Sequence, residues 1–130
     1  MYLEYNLERK NFEGIINIIK EIDNSETIYN KGFSNIYIYN DMSELYLKFN
    51  NKQVILSRIL LGKQHQGYGK QIVDLLIEFC KINKIPELVI ESVSTKAMTS
   101  FCNKYDFKKV EYTGYEIEGQ WYGNYMKNIL

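Results

Sequence analysis

Histidine, proline and arginine are nearly missing from these 130 residues: His65, Pro86, Arg9 and Arg58 are all there is of them. The cysteines are only Cys80 and Cys102. They lack metal-site spacing, and one histidine cannot complete a zinc cluster, so a metal centre is not expected. With no cysteine framework to oxidise, the chain reads as a reduced, cytoplasmic protein. Charge of one sign is not in excess either, since 16 Lys and Arg balance 16 Asp and Glu. The basic surplus that neutralises phosphates is absent, which argues against nucleic acid as a partner. No apolar run reaches the length that crosses a membrane, and the start at Met1-Tyr2-Leu3-Glu4-Tyr5 lacks the basic and apolar stretches of a secretory signal. No membrane association is expected.

What is present is ordinary globular material, 45% hydrophobic and 25% charged, in a chain of one-domain size. No linker, repeat or low-complexity stretch divides it, so residues 1–130 are read as one domain. Residues 3–7 alternate and predict a short first strand. After Phe12, Ile15, Ile16, Ile18, Ile19 and Ile22 recur at helical spacing and predict a helix over 11–23. A short turn of helix is expected within 25–32. Segments 36–39, 44–49 and 53–61 predict an antiparallel meander, its connections at Asp41-Met42-Ser43 and Asn50-Asn51-Lys52. The third segment is so continuously apolar that it is expected to be central and buried on both faces. A helix follows the polar loop 62–70, then a buried strand at 88–90, a helix over 95–105, and two strands, 108–118 and 121–129. The fold class is α/β: a mixed, mostly antiparallel sheet flanked by helices, with one parallel βαβ crossover and a C-terminal hairpin.

The strongest local signal is Gln64-His65-Gln66-Gly67-Tyr68-Gly69-Lys70, between a buried strand and a long helix. A glycine-bearing turn at a helix N-terminus presents backbone N–H groups backed by the helix dipole, an anion site suited to a pyrophosphate. It is neither a Walker loop nor a full dinucleotide fingerprint. Taken alone, it fits an ordinary strand-to-helix turn equally well.

Its context carries more. Gln-x-x-Gly-x-Gly after a central strand and meander resembles the acyl-CoA pyrophosphate loop of the GNAT superfamily of N-acetyltransferases. The run from Ile90-Glu91-Ser92 through Thr95 to Phe107 is similar to the family's next strand and helix, and the likeness covers about 54–130. The resemblance implies acetyl-CoA as cosubstrate, no metal, and direct attack by an amine in a ternary complex. The acceptor would be a small molecule or peptide amine, and homodimers are common in the family.

Carried over by position, Gln64, His65, Gln66, Gly67, Tyr68, Gly69 and Lys70 would face the pyrophosphate, and Ile59 and Leu61 would bind the pantetheine arm through their backbones. Thr95 stands at the usual asparagine, as a further cofactor contact. Glu91 matches a glutamate that serves some members as general base; facing a cleft on a buried strand it is expected to have a raised pKa, whereas on the other face it would be solvated or paired with a lysine. Cys102 occupies the position of the family's tyrosine acid, with Tyr105 one turn on, and neither is expected to be essential. Tyr37, Tyr39, Tyr46, Trp121 and Tyr122 are candidates for an acceptor pocket, and Cys80 reads as core. The alternative is an acyl-CoA-binding or protein-interaction domain of the same fold without catalysis.

Overall fold

Residues 2–63 and 66–130 are described by a computed structural model of the chain. The isoleucines after Phe12 set the first helix, α1 (Glu13–Asp23), which follows a 3-10 turn at Arg9–Phe12. Ile15, Ile16, Ile19 and Ile22 fall on one stripe and are all buried, and Asn24 ends the helix at a left-handed φ of 48°. Leu3 to Leu7 form no strand: Leu7 is buried, and the Tyr5 hydroxyl donates to the Asn50 carbonyl at 2.6 Å. That segment clasps the core by side chains rather than by a ladder. The first strand is instead β1 (Ile28–Lys31), where a turn of helix was predicted.

β1, β2 (Asn35–Tyr39), β3 (Glu44–Phe49) and β4 (Gln53–Leu60) form the meander, each antiparallel to the last. Helix α2 (Tyr68–Ile82) then crosses over, and β5 (Glu87–Ile90) returns parallel to β4. After α3 (Lys96–Lys104) come β6 (Lys108–Lys109), β7 (Tyr115–Ile117), β8 (Gln120–Tyr122) and β9 (Tyr125–Asn128). The main sheet has seven strands in the order β1-β2-β3-β4-β5-β9-β6, and β7 and β8 pair separately.

The two long strands predicted after 108 are thus four short ones. Tyr112, Glu118 and Gly119 all take positive φ, which breaks extended pairing. Gly114 lies so close to the Tyr122 carbonyl that a β-carbon there would sit 1.9 Å from its oxygen. The chain crosses itself at that point, and the outer hairpin leaves the sheet plane.

Cross-strand partners share a face, so Leu47, Leu56, Ile90 and Tyr125 mark one side of the sheet. All are buried. Phe12 and Phe79, from the α1 and α2 ends of the core, meet Phe49 at ring distances of 5.9 Å on this side. Helix α3 closes over Tyr125, whose hydroxyl donates to the Trp121 carbonyl that also accepts from Thr99 Oγ1. All the helices among the described residues lie on this one side. That corrects the reading of β4: Val54 and Leu56 are buried, but Ile55 and Ser57 on its other face are only partly covered.

Candidate functional site

Two local irregularities open the centre of the sheet. In β4 the register with β3 shifts, pairing Tyr46 with Arg58 but Leu47 with Leu56, so Ser57 is left without a partner. This is a bulge, and it re-aims the rest of the strand. On the other edge the parallel ladder runs only from Gln53–Glu87 to Leu56–Ile90, with one further bond from the Glu91 N–H to the Leu56 carbonyl at 3.0 Å. Ser92 then takes φ 56°, and its N–H turns to Asn124 Oδ1 at 2.8 Å, while the Val93 N–H bonds the Gly123 carbonyl at 2.8 Å. The chain after β5 has been drawn toward β9. Among the described residues no strand pairs with Ser57 to Leu60 on that edge, and backbone polar groups so placed require partners.

The start of α2 follows that edge in the chain. Gly67 is its N-cap at φ 82°, a left-handed geometry that favours glycine, and no side chain caps the helix. A β-carbon on Gly69 would approach the Phe101 ring at 3.9 Å, which places α3 beside the first turn. Lys70 bridges to Asp74 on the next turn, and its ammonium stands 5.1 Å from the Tyr105 ring centre.

On the helix-free face, Glu91 is the centre of a small cluster. Lys48 Nζ donates to both of its oxygens, at 2.9 and 3.1 Å, and Ser57 Oγ donates to one of them at 2.9 Å. Burial raises the carboxyl pKa, but the hydrogen bonds from Lys48 and Ser57 and the Lys48 charge outweigh it and leave the group below the usual carboxylate range. The raised pKa expected from the sequence is therefore corrected. Glu91 is ionised at neutral pH, and it is partnered.

No protein-family model matches the chain, and no curated protein matches it by sequence. Solved structures do. A chain assigned as an acetyltransferase from Staphylococcus epidermidis superposes at a TM-score of 0.56 with 12% identity, covering 95% of this chain and 96% of that one. PaiA N-acetyltransferase from Thermoplasma acidophilum, in complex with coenzyme A, gives 0.54 at 17% identity over 96% and 80%. A chain assigned to the GNAT family from Desulfovibrio desulfuricans gives 0.54 at 12% identity over 74% and 68%. The chain has the GNAT fold.

Within this GNAT fold the expected site residues are distributed unevenly. Ile59 and Leu61 flank the open edge, half-buried against the core. Gly67, Tyr68, Gly69 and Lys70 form the α2 start, with Gln66 exposed just before it. Gln64 and His65 lie outside the described residues. Thr95 is committed to capping α3, its Oγ1 accepting from the Met98 N–H at 3.2 Å. Cys102 is 0% exposed, and burial pushes its thiol up to about 12. Cys80 is buried as well. Tyr105 packs half-buried against the core, its ring centre 4.7 Å from that of Phe101.

The aromatic candidates split into two groups. Tyr37, Tyr39 and Tyr46 form a ladder on the helix-free face, with Tyr37 4.9 Å from Tyr39 and 5.9 Å from Tyr46. Trp121 and Tyr122 belong to β8, which packs against α3. A lysine partner for Glu91 was the alternative expected of an outward side chain; its identity as Lys48, and the bond from Ser57, were missed. The one available signal was alternation, which puts Glu44, Tyr46 and Lys48 on the outward side of β3. Among the described residues no three His, Cys, Asp or Glu side chains converge as a metal site would need.

Proposed function

We propose that this chain transfers an acetyl group from acetyl-CoA to an amine, by direct attack within a ternary complex. The observation that carries the reading is the open edge of β4 beyond Leu56–Ile90, with the uncapped α2 N-terminus beside it. The residues fit the cosubstrate. An extended, amide-rich arm can add to the backbone of Arg58 to Leu60 as a strand would. The first turn of α2 suits a pyrophosphate, with glycine at the one left-handed position. The coenzyme A in the Thermoplasma acidophilum structure supports this reading by analogy of fold.

In this mechanism the chain works mainly by positioning. A backbone N–H between Ile59 and Leu61 faces the thioester oxygen and stabilises the charge that develops there on attack. Glu91, ionised at the mouth of the gap, holds the incoming ammonium and accepts its proton. Cys102 takes no part, and the departing thiolate takes its proton from the amine or from water.

One observation favours a second reading, a domain that binds acyl-CoA without turning it over: Lys48 and Ser57 already satisfy the carboxylate that a base would need free. Calorimetry with CoA followed by an acetyl-transfer assay over a panel of primary amines separates the two. Binding with turnover supports the enzyme, binding without turnover on any amine supports the second reading, and no binding removes both.

A further inference from the structure

The contact that an acceptor amine must make with Glu91 is already made inside the molecule. Lys48 Nζ sits within hydrogen-bond distance of both carboxylate oxygens, and Ser57, the unpaired bulge residue at the gap, bonds one of the same oxygens. The lysine is thus two hydrogen bonds from the edge where the thioester is to lie. Its side chain is 40% exposed, on a face that no described helix covers. Two other lysines are engaged elsewhere: Lys70 with Asp74, and Lys127 with the Tyr105 carbonyl.

We infer that Lys48 is an acetyl acceptor of this protein, modified in cis by its own bound acetyl-CoA; this rests on the acetyl-transfer reading above. Glu91 takes one proton from the Lys48 ammonium, and the neutral Nζ attacks the thioester carbonyl carbon. A C–N bond forms as the C–S bond breaks, the thiolate leaves with the second amine proton, and Glu91 returns the first to water. The products are Nε-acetyl-lysine, free CoA thiol and one solvent proton. The modification removes the charge of Lys48, breaks its ion pair with Glu91 and leaves the carboxylate bonded to Ser57 alone. An external amine then finds Glu91 vacant, so the first turnover prepares the site for later ones.

The test uses the intact chain with acetyl-CoA and no added acceptor, read by peptide mass mapping over time, with CoA affinity measured in parallel. Expected is one acetyl group on Lys48, at a rate independent of protein concentration and well ahead of the exposed Lys31 and Lys84. Glu91→Gln should slow it by about a hundredfold with CoA affinity unchanged, in the range of acid–base groups. Lys48→Arg, which keeps the ion pair and so the fold, should carry no acetyl group on that cluster. Labelling of Lys48 no faster than Lys31 and Lys84 would be solution chemistry and overturns the inference. So does an unlabelled Lys48 in protein that binds CoA and acetylates an external amine, and in that case the proposed function stands. Failure to bind CoA removes the proposed function, and this inference with it.

Discussion

At the scale of single residues, the chain holds its reactive groups in unreactive states. Cys102 stands where the resemblance would put an acid, yet it is enclosed in the core with its thiol pushed up to about 12. A thiol in that setting neither reaches a leaving sulfur nor gives up its proton near neutrality. Cys102→Ala should therefore retain most of the acetyl-transfer rate and cost about 1–2 kcal/mol of stability through the small cavity it leaves. Steady-state rates and urea denaturation check the two halves. A loss of more than about a hundredfold in rate at intact CoA affinity would restore the cysteine as the acid.

Glu91 gives a pH-dependent counterpart. Its folded pKa lies below the ordinary value, so its ion pair contributes stability that is present above the unfolded pKa of about 4.3 and lost as pH falls through the folded one. Lys48→Met removes both Lys48 influences and leaves burial opposed only by the Ser57 hydrogen bond, which moves the carboxyl pKa upward. At neutral pH the substitution should cost about 1 kcal/mol or less, since the lysine is well exposed. Below the usual carboxylate range the difference from the parent should vanish. Denaturation midpoints at several pH values, with carboxyl carbon NMR for the titration, measure this. A Glu91 pKa unmoved in Lys48→Met would show that the ion pair does not set it.

At the scale of elements, α2 is the piece on which binding depends. Its N-cap at Gly67 has a left-handed φ, and among the described residues nothing lies within 4 Å of the position a β-carbon would take. A side chain there costs about 1 kcal/mol in backbone strain but meets no obstacle among the described residues. Gly67→Glu should leave the fold intact and place a carboxylate where the pyrophosphate is to sit, lowering CoA affinity by more than about a hundredfold through like-charge repulsion. Calorimetry reads the affinity and circular dichroism the fold. Unchanged affinity in the folded variant would place the phosphate site elsewhere.

The elements also show how far the sequence was legible. α1 could be read because its isoleucines repeat at one period, and that stripe is what the helix buries. β2 to β4 could be read because short polar turns separate apolar runs, and β5 because an apolar run follows the helix; their order with one parallel pair held. Residues 3–7 misled because alternation reports a two-sided environment, and here Leu7 is buried and Tyr5 bonds the Asn50 carbonyl without the backbone joining a ladder. The last twenty residues misled because closeness of Gly114 to Tyr122 is a property of the folded path. In the site, the turn at Gly67 was visible as a local string. For Glu91 a lysine partner was one of two readings, but which lysine, and the bond from Ser57, were not legible, since Lys48 and Ser57 lie 43 and 34 positions away. Burial alone predicted a raised pKa there, and the neighbours reverse it.

For the molecule as a whole, placing every described helix on one side leaves a sheet face of tyrosines and paired charges outward, and the gap opens onto that face. The same gap has a mechanical meaning. The antiparallel block β1–β4 and the block β5, β9 and β6 are joined within the sheet by only four residue pairs, Gln53–Glu87 to Leu56–Ile90. Sheets gain cooperativity from continuous ladders, so this seam is where two partly independent folding units meet, and slow amide exchange should divide there. An arm bonded along Arg58 to Leu60 would act as an eighth strand and join the halves. CoA should then slow exchange not only at the amides it touches but at Val89, Ile90 and Met126 across the seam, as mass spectrometry of deuterated peptides can follow. Protection confined to the α2 start would mean that the two blocks were already one unit, and that ligand binding and sheet integrity are uncoupled.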